Sequence, residues 1–316
     1  MSQPSFRLTI QADRRAPEVS LGYAAALLTT LIWGSSFVGT RLLLGELAPL
    51  SVQALRFLFG TLAYLALLAV ASRGWPKRPR RAAPRLALVA VFGPALNSLG
   101  VTLAIPYLGA GTSSLVIMLV PVLTGLLAAL AGQERFSGRQ LQGFAVALAG
   151  LAVVVLLGSP ERTLAGGELI GLLFLFAGAL GFAVYNVYSK PLFAFYSPLE
   201  LSCFLGLLAP LSLLPFFASG PFWADLAAVG QLSLRGWLVA AYLGLASSVG
   251  AYWCWYYALR RLGATRTSLF SYLIPVWGLT LSALVLGERI TAWLPLGVAL
   301  VVAGIALANR RPAPRT

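Results

Sequence analysis

Residues 109–135, GAGTSSLVIMLVPVLTGLLAALAGQER, form the stretch that decides the fold, because a related stretch occurs at residues 263–289, GATRTSLFSYLIPVWGLTLSALVLGER. A shift of 154 positions aligns the two without a gap, with 12 identities in 27 positions. Each copy is a long apolar segment with a proline near its middle and a Glu-Arg pair at its end. An internal repeat at about half the chain length predicts two similar structural halves.

The composition predicts an all-α integral membrane protein. Hydrophobic residues make up 59% of the chain, charged residues only 10%, and the mean hydropathy is +0.85, whereas a soluble domain has about 25% charged residues. A helix that spans the bilayer needs about 20 mostly apolar residues. Ten segments meet this condition: 21–44, 49–72, 86–105, 109–132, 141–158, 168–190, 197–218, 236–258, 265–286 and 291–309.

The two halves are predicted to have opposite orientations. Each contains five segments, and after an odd number of spans the second half begins on the other side of the membrane. Weaker similarity joins segments one and six at an offset of 149, which places Trp33 on Phe182 and Pro49 on Pro198. We therefore expect ten transmembrane helices as a 5+5 inverted-topology repeat around a central cavity, with halves at 21–158 and 168–309. Residues 1–20 are expected to be a disordered cytoplasmic tail and not a cleaved signal peptide, and 310–316 a second cytoplasmic tail.

The orientation follows from the distribution of Lys and Arg, which favour cytoplasmic loops. With the N-terminus inside, eighteen of the 23 basic residues lie in inside regions and three in outside loops. This predicts cytoplasmic N- and C-termini in the cell (inner) membrane. The basic run 73–85, RGWPKRPRRAAPR, is then a topology signal that contacts anionic lipid. The net charge of +14 is explained by this topology, so no nucleic acid partner is expected.

Two stretches resemble the EamA-type proteins of the drug/metabolite transporter superfamily. WGSSFVGTRLLL at 33–44, followed by Pro49 and Arg56, resembles the opening of that family. YALRRLGATRTSLFSYLIPVWGLTLSALVLGERIT at 257–291 resembles its second-half signature, in which Gly-Glu-Arg follows a proline in mid-helix. The resemblance implies five-plus-five inverted helices, a central cavity and export or exchange of small metabolites. It does not select among amino acids, other metabolites and drugs.

Inverted-repeat transporters place their substrate sites near the membrane midplane, beside interrupted helices. Polar, aromatic and proline residues at that depth are therefore the candidate cavity-lining residues for binding a small-molecule substrate. They are Trp33, Ser36, Asn97, Met118, Pro121, Tyr185, Asn186, Ser248, Tyr252, Trp253, Tyr272, Pro275 and Trp277.

Each mid-helix proline removes one backbone donor and clashes with the carbonyl four residues earlier. The carbonyls of Ile117 and Ser271 are thus predicted to be freed at membrane depth, where a neighbouring hydroxyl or water must pair with them. Small and polar residues beside each proline suit a cavity wall, although a packing seam between helices is the alternative.

Several polar positions keep two interpretations. Asn97 either contacts substrate or water, or joins two helices by a hydrogen bond. Arg56 either extends toward the interface or lines the cavity. Glu134 and Glu288 each precede a helix, and capping of that helix is favoured over a gating role.

Some residue types are missing, and their absence limits the function. The chain has no histidine, and both cysteines lie in apolar segments, so no metal site, cofactor or enzymatic centre is expected. None of the nine acids lies in mid-helix, which favours facilitated diffusion or exchange of neutral, zwitterionic or amphiphilic solutes over ion-coupled pumping. A membrane structural or assembly protein and a membrane-embedded enzyme are the alternative classes. Small residues at 143, 147, 304 and 308 permit close helix contacts within one chain or in a homodimer.

Overall fold

The computed structural model describes residues 16–70, 82–131, 138–157, 167–216, 218, 220–262, 267, 270–288 and 291–309. Within these ranges the regular structure is helical and there is no strand. Each of the ten apolar segments contains a helix. The helices are α1 (Ala16–Leu43), α2 (Pro49–Val70), α3 (Ala83–Leu108), α4 (Ala110–Val116, Ile117–Leu119 and Val120–Leu130), α5 (Gly138–Leu157), α6 (Gly167–Ala194), α7 (Pro198–Phe216), α8 (Leu234–Leu262), α9 (Leu273–Leu286) and α10 (Trp293–Asn309).

Two regions outside the ten predicted segments contain helix. Helix α1 begins at Ala16, within the range assigned to the N-terminal tail. Pro17 and Glu18 lie in its first turn, where proline and an acidic residue both favour a helix start. The predicted loop 219–235 contains a short connecting helix, Gly220–Ala227, that buries Phe222 and leaves Trp223 half exposed.

Seven of the described helical stretches are long and apolar enough to cross a membrane. The shorter apolar stretches are Leu141–Gly150, Leu273–Leu286 and Pro295–Gly304. Large hydrophobic side chains are exposed on the outside of the bundle, for example Leu62, Leu130 and Leu284. An apolar outer face of this kind matches lipid better than water. The structure is thus that of a multi-pass membrane protein, and the assignment of all ten segments as spans stays a prediction.

The helices pack in pairs that repeat between the halves. Helix α3 packs on α6, and α8 packs on α1; α4 packs on α6, and α9 packs on α1. Helix α2 contacts α8, and α7 contacts α3, while α5 lies along α10 in the most extensive pairing. When each helix is exchanged for the one five positions away, the first six pairs convert into one another and the α5–α10 pair converts into itself.

Helix interruptions also recur at the offset of the repeat. Helix α3 contains a π-helical turn at Val91–Ala95 with a kink at Gly93, and α8 contains one at Leu243–Gly250. Helix α4 tightens into a 3-10 turn at Ile117–Leu119, and α9 begins directly after a turn at residues 271–272. Because interrupted helices leave backbone groups unpaired, they are tolerated in a membrane only where protein or a cavity surrounds them.

The small residues of α5 and α10 form a contact within the chain. A Cβ added at Gly304 would overlap the backbone nitrogen of Ala147 and the carbonyl oxygen of Gly143. The sequence allowed this close helix contact either within one chain or in a homodimer. At these positions it lies within the chain.

Candidate functional site

Two cavities lie inside the bundle and meet at three residues. About 30 Å³ of each is free for water-sized molecules. Arg56 of α2, Ser98 of α3 and Tyr252 of α8 line both. We call this group the junction. The first cavity continues between α2, α7 and α8, and the second continues between α1, α3, α6 and α9. Both halves of the chain therefore contribute to each cavity.

Residues at equivalent positions of the repeat face the same space. At the offset of 149, Arg56 corresponds to Leu205 and Trp33 corresponds to Phe182; at 154, Ser98 corresponds to Tyr252. Arg56 and Leu205 both line the first cavity, Trp33 and Phe182 both line the second, and Ser98 and Tyr252 line both. The repeat thus places its related positions around the same space, and their differences in residue type make the lining chemically asymmetric.

Among the described residues that line the two cavities, Arg56 is the one charged residue, and it is 6% exposed. Its Nε donates to the Ser248 hydroxyl over 2.8 Å, and its Nη2 donates to the Ser247 hydroxyl over 2.9 Å. Both serines lie in the π-helical part of α8. The Tyr64 hydroxyl donates to the Ser248 carbonyl over 2.7 Å. No ion pair with Arg56 is found among the described residues, so its hydrogen-bond partners there are neutral hydroxyl groups.

A buried polar network supports the junction from α2. Gln53 is fully buried, and its amide exchanges two hydrogen bonds with the Ser98 hydroxyl, at 2.9 and 3.1 Å. The Thr102 hydroxyl donates to the Gln53 carbonyl oxygen over 2.9 Å. These bonds fix α2 against α3 and orient the Ser98 hydroxyl at the cavity wall.

Aromatic rings form the wall of the second cavity. The rings of Trp33 and Tyr252 meet edge to face with centroids 5.2 Å apart, and Phe182 meets Trp33 in the same way at 5.7 Å. The Trp33 indole donates to the Ser247 carbonyl over 3.2 Å, which ties α1 to α8. Tyr185 stacks on Phe182 at 5.3 Å, behind the lining layer. Edge-to-face and offset pairs of this kind are favourable and hold the rings in a defined geometry.

Five of the predicted site residues line the cavities: Trp33, Ser36, Asn97, Ser248 and Tyr252. The amide of Asn97 donates to the Gly178 carbonyl of α6 over 3.2 Å, which joins two helices, and the residue also lines the second cavity. Ser36 bonds back to the Trp33 carbonyl over 2.7 Å.

Trp253 is not among the lining residues of the two cavities. Its side chain is 48% exposed on the outside of α8, while its neighbours Tyr252, Trp255 and Tyr256 are buried. Tyr252, Trp255 and Tyr256 share one face of the α-helical part of α8, and Trp253 lies off that face. The π-helical stretch at Leu243–Gly250 comes before this part. A π turn holds more residues than an α turn, so the inward face of the helix beyond it cannot be assigned by counting at the α-helical period from residues before it.

The other predicted residues lie outside the lining of the two cavities. Tyr185 is buried behind Phe182, and Asn186 donates to the Thr124 hydroxyl over 3.5 Å. Tyr272 packs beside Leu115 and Val122. Trp277 lies against Gly34 of α1. Met118 lies in the 3-10 turn of α4, and the structure does not describe its side chain.

The two prolines lie next to the second cavity without lining it. Pro121 follows the 3-10 turn of α4, and Pro275 is buried in the first turns of α9. Their neighbours Ile117 and Ile274 are lining residues. The Ser271 carbonyl, predicted to need a hydroxyl or water, accepts instead from the Ile274 backbone nitrogen over 3.1 Å. The Ser271 carbonyl is therefore paired within its own turn, by a bond from three residues later instead of four.

Glu288 caps a helix, but not the helix that follows it. Its two carboxylate oxygens accept from the backbone nitrogens of Ala110 and Gly111, each over 3.0 Å. These donors begin α4 in the other half of the chain. Gly287 adopts a left-handed conformation with φ of 68° at the end of α9 and precedes Glu288 directly. The corresponding Glu134 lies outside the described residues.

The described residues contain no cluster of three His, Cys, Asp or Glu side chains that could hold a metal ion. Cys203 is buried and Cys254 is partly buried, and neither is in a disulfide. Within the described part of the chain, no acidic side chain lines either cavity. The site therefore offers a cation, hydroxyls and aromatic rings to a ligand.

Apolar helices arranged in two related halves around internal cavities are typical of membrane transporters. The EamA-like transporter family model matches the chain twice, at residues 20–156 and 169–310. The protein belongs to the EamA-like transporter family, which confirms the resemblance identified in the sequence.

Similar proteins carry names that describe export. A probable terminal-alkyne amino-acid exporter of Streptantibioticus cattleyicolor is 33% identical over 293 residues, covering 91% of this chain and 93% of that protein. A probable amino-acid metabolite efflux pump of Escherichia coli is 28% identical over 287 residues, covering 89% and 92%. One crystal structure matches with a TM-score of 0.65 at 24% identity, over 94% of this chain and 97% of that chain. That match shows a shared fold.

Proposed function

We propose that this transporter exports or exchanges small amphiphilic metabolites, amino acids among them, by alternating access across the cell membrane. The observation that carries the proposal is the junction of Arg56, Ser98 and Tyr252, where two internal cavities meet between the halves. A solute held there contacts helices of both halves, so relative movement of the halves can expose it to either side.

The proposed architecture is ten transmembrane helices as two inverted halves with cytoplasmic termini. The paired helix contacts and the recurring interruptions in α3 and α8 support the repeat. The inversion rests on the odd number of segments in each half and on the distribution of basic residues. Labelling of single cysteines from one side of intact cells tests it. A cysteine at position 77 that reacts with an impermeant reagent from outside would contradict the orientation.

Two observations support amino acids as a substrate class. Two similar proteins have amino acids or their metabolites in their names. The walls of both cavities combine hydroxyls with aromatic rings, which suit the polar and apolar parts of such solutes.

We propose that transport is facilitated diffusion or exchange. Ion-coupled transporters place a carboxylate or histidine within the membrane as a relay. The described acids lie at helix ends or in connections, and the chain has no histidine. Exchange that stops when the proton gradient is removed, and that is lost in Glu168→Gln or Glu200→Gln, would contradict this part of the proposal.

Counterflow in proteoliposomes tests the function directly. Vesicles loaded with unlabelled L-phenylalanine, L-leucine or L-methionine should accumulate the corresponding labelled amino acid without an imposed gradient. Ser98→Phe places a ring in the junction and should block accumulation. Leu62→Phe adds a ring on the outer face of α2, where Leu62 is exposed, and should leave transport intact. The absence of counterflow for all three solutes, or full activity of Ser98→Phe, contradicts the proposal.

A further inference from the structure

We propose that Arg56 is the receptor for a carboxylate group of the substrate, so that the site selects small organic acids and zwitterions with an apolar body. The inference rests on the proposed transport function and specifies which solutes the same site takes. It concerns a residue for which the sequence left two interpretations open.

The hydrogen bonds of Arg56 leave one edge of its guanidinium group free. Arginine has five N–H donors in a planar fork. Nε and one hydrogen of Nη2 point to Ser248 and Ser247, and these two nitrogens form the side edge of the fork. The end edge, formed by Nη1 and Nη2, has no hydrogen-bond partner among the described residues. Two parallel N–H donors of this kind match the two oxygens of a carboxylate.

The charge of Arg56 is also uncompensated. A buried charge is unfavourable unless an opposite charge and hydrogen bonds stabilise it. Serine hydroxyls supply hydrogen bonds but no negative charge, and no acidic residue that the structure describes lines either cavity. A ligand carboxylate supplies the missing charge at the place where both cavities meet. The serines hold the fork in one orientation, so little side-chain entropy remains to be lost on binding.

The space beside Arg56 indicates what the rest of the ligand is. The second cavity extends from Arg56 toward Trp33, Phe182 and Ile274. Its aromatic and aliphatic walls suit an apolar group, and the faces of aromatic rings also accept an ammonium group through cation–π attraction. A free carboxylic acid and an α-amino acid with a large apolar side chain therefore both match the chemistry of these walls.

The alternative is that Arg56 only joins α2 to α8. A purely structural arginine predicts that its replacement lowers stability without changing the response to any ligand. The two interpretations differ in whether the wild-type protein distinguishes a carboxylate from the amide of the same shape, and this comparison needs no variant.

The test measures thermal stabilisation of the purified full-length protein by three matched pairs: L-phenylalanine and L-phenylalaninamide, L-leucine and L-leucinamide, and 3-phenylpropionate and 3-phenylpropionamide. For at least one pair, the carboxylate should act at a concentration at least ten-fold lower than the amide. Arg56→Gln should remove this difference. Arg56→Lys keeps the charge without the fork and should reduce it. Arg41→Gln removes an exposed arginine of α1 and should leave it unchanged.

The outcomes separate the inference from the transport function. Equal action of carboxylate and amide in all three pairs, or no action of any carboxylate on the wild type, overturns the inference even if counterflow succeeds. A carboxylate preference that persists in Arg56→Gln or Arg56→Lys at full size also overturns it. A preference that depends on Arg56, together with no counterflow, supports the carboxylate receptor and refutes the transport proposal.

Discussion

Replacement of Glu288 by Gln should weaken the contact that joins the two halves at the start of α4. The carboxylate accepts two backbone N–H bonds of 3.0 Å, one on each oxygen, from Ala110 and Gly111. Glutamine has one acceptor oxygen, so it can keep one of these bonds, and it loses the negative charge that faces the positive end of the helix.

The expected loss follows from these two changes. A hydrogen bond to a charged group contributes about 1.5–3 kcal/mol. A negative side chain at a helix N-terminus adds about 0.3–1 kcal/mol. Because the remaining bond also becomes a neutral one, we expect Glu288→Gln to lower the free energy of unfolding by about 2–4 kcal/mol.

The measurement is equilibrium unfolding of the purified protein in mixtures of maltoside detergent and SDS, followed by tryptophan fluorescence. Asp225→Asn is the control, since it removes one acid from the short connecting helix, where Asp225 makes no hydrogen bond among the described residues. A loss below about 0.5 kcal/mol, which is the usual size of a surface substitution, or an equal loss in both variants, would refute the reasoning.

Three further predictions use the same unfolding measurement. Gly304→Ala should destabilise the protein by about 1–3 kcal/mol, because its Cβ would overlap the backbone of Ala147 and α5 and α10 must separate. Gln53→Leu should cost about 1–2 kcal/mol, because it removes the buried hydrogen bonds to Ser98 and Thr102. Glu46 accepts from the Ser233 backbone nitrogen and then from its hydroxyl, and these bonds lower its pKa. Its contribution to stability should be complete above the unfolded pKa and should disappear as the pH falls through the lowered folded pKa.

Each of these three predictions has a further variant that tests it. Gly230→Ala adds a Cβ where no atom lies within 4 Å, so it should leave the free energy of unfolding unchanged. Gln231→Leu changes an exposed glutamine in the same way and should be neutral. Glu46→Gln should lower stability at neutral pH and flatten its dependence between neutral and acid pH. A wild-type acid profile that this variant leaves unaltered would show that other carboxylates dominate.

The helices and their pairing could be predicted from the sequence, because both follow from properties that the chain shows directly. Long apolar runs determine where helices form in lipid. The 154-residue offset predicts that an interruption at Ile117–Leu119 recurs near residues 271–272, and it does. The depth of a residue along its helix could also be predicted, which is why Trp33, Asn97 and Tyr252 were placed at the cavities.

The direction of side chains around a helix could not be predicted where the helix departs from the α-helical period. The π-helical stretch of α8 shifts the residues beyond it around the helix axis, so counting from before the stretch could not separate Tyr252, which lines the cavities, from Trp253, which faces out. The hydrogen-bond partners of the Glu288 carboxylate could not be predicted either. Nothing in the sequence indicates that Glu288 caps α4, 178 residues away from Ala110, instead of α10.

The repeat allows one last prediction, about why the charge of the site lies in one half only. Arg56 and Leu205 occupy equivalent positions and line the same cavity. The hydroxyls that hold Arg56 belong to Ser247 and Ser248, which correspond to Gly93 and Pro94 in the first half. An arginine at position 205 would therefore meet no hydroxyl at the equivalent place.

The double variant Arg56→Leu with Leu205→Arg tests this asymmetry, since it conserves the net charge and moves the arginine to the equivalent position of the other half. It should not restore the ten-fold preference for carboxylates, because a guanidinium without its two serine partners is neither oriented nor stabilised. The thermal-stabilisation assay with the same three pairs measures the preference. A double variant that prefers carboxylates as strongly as the wild type would show that charge in the cavity is sufficient, and that the serine contacts of Arg56 contribute nothing to selectivity.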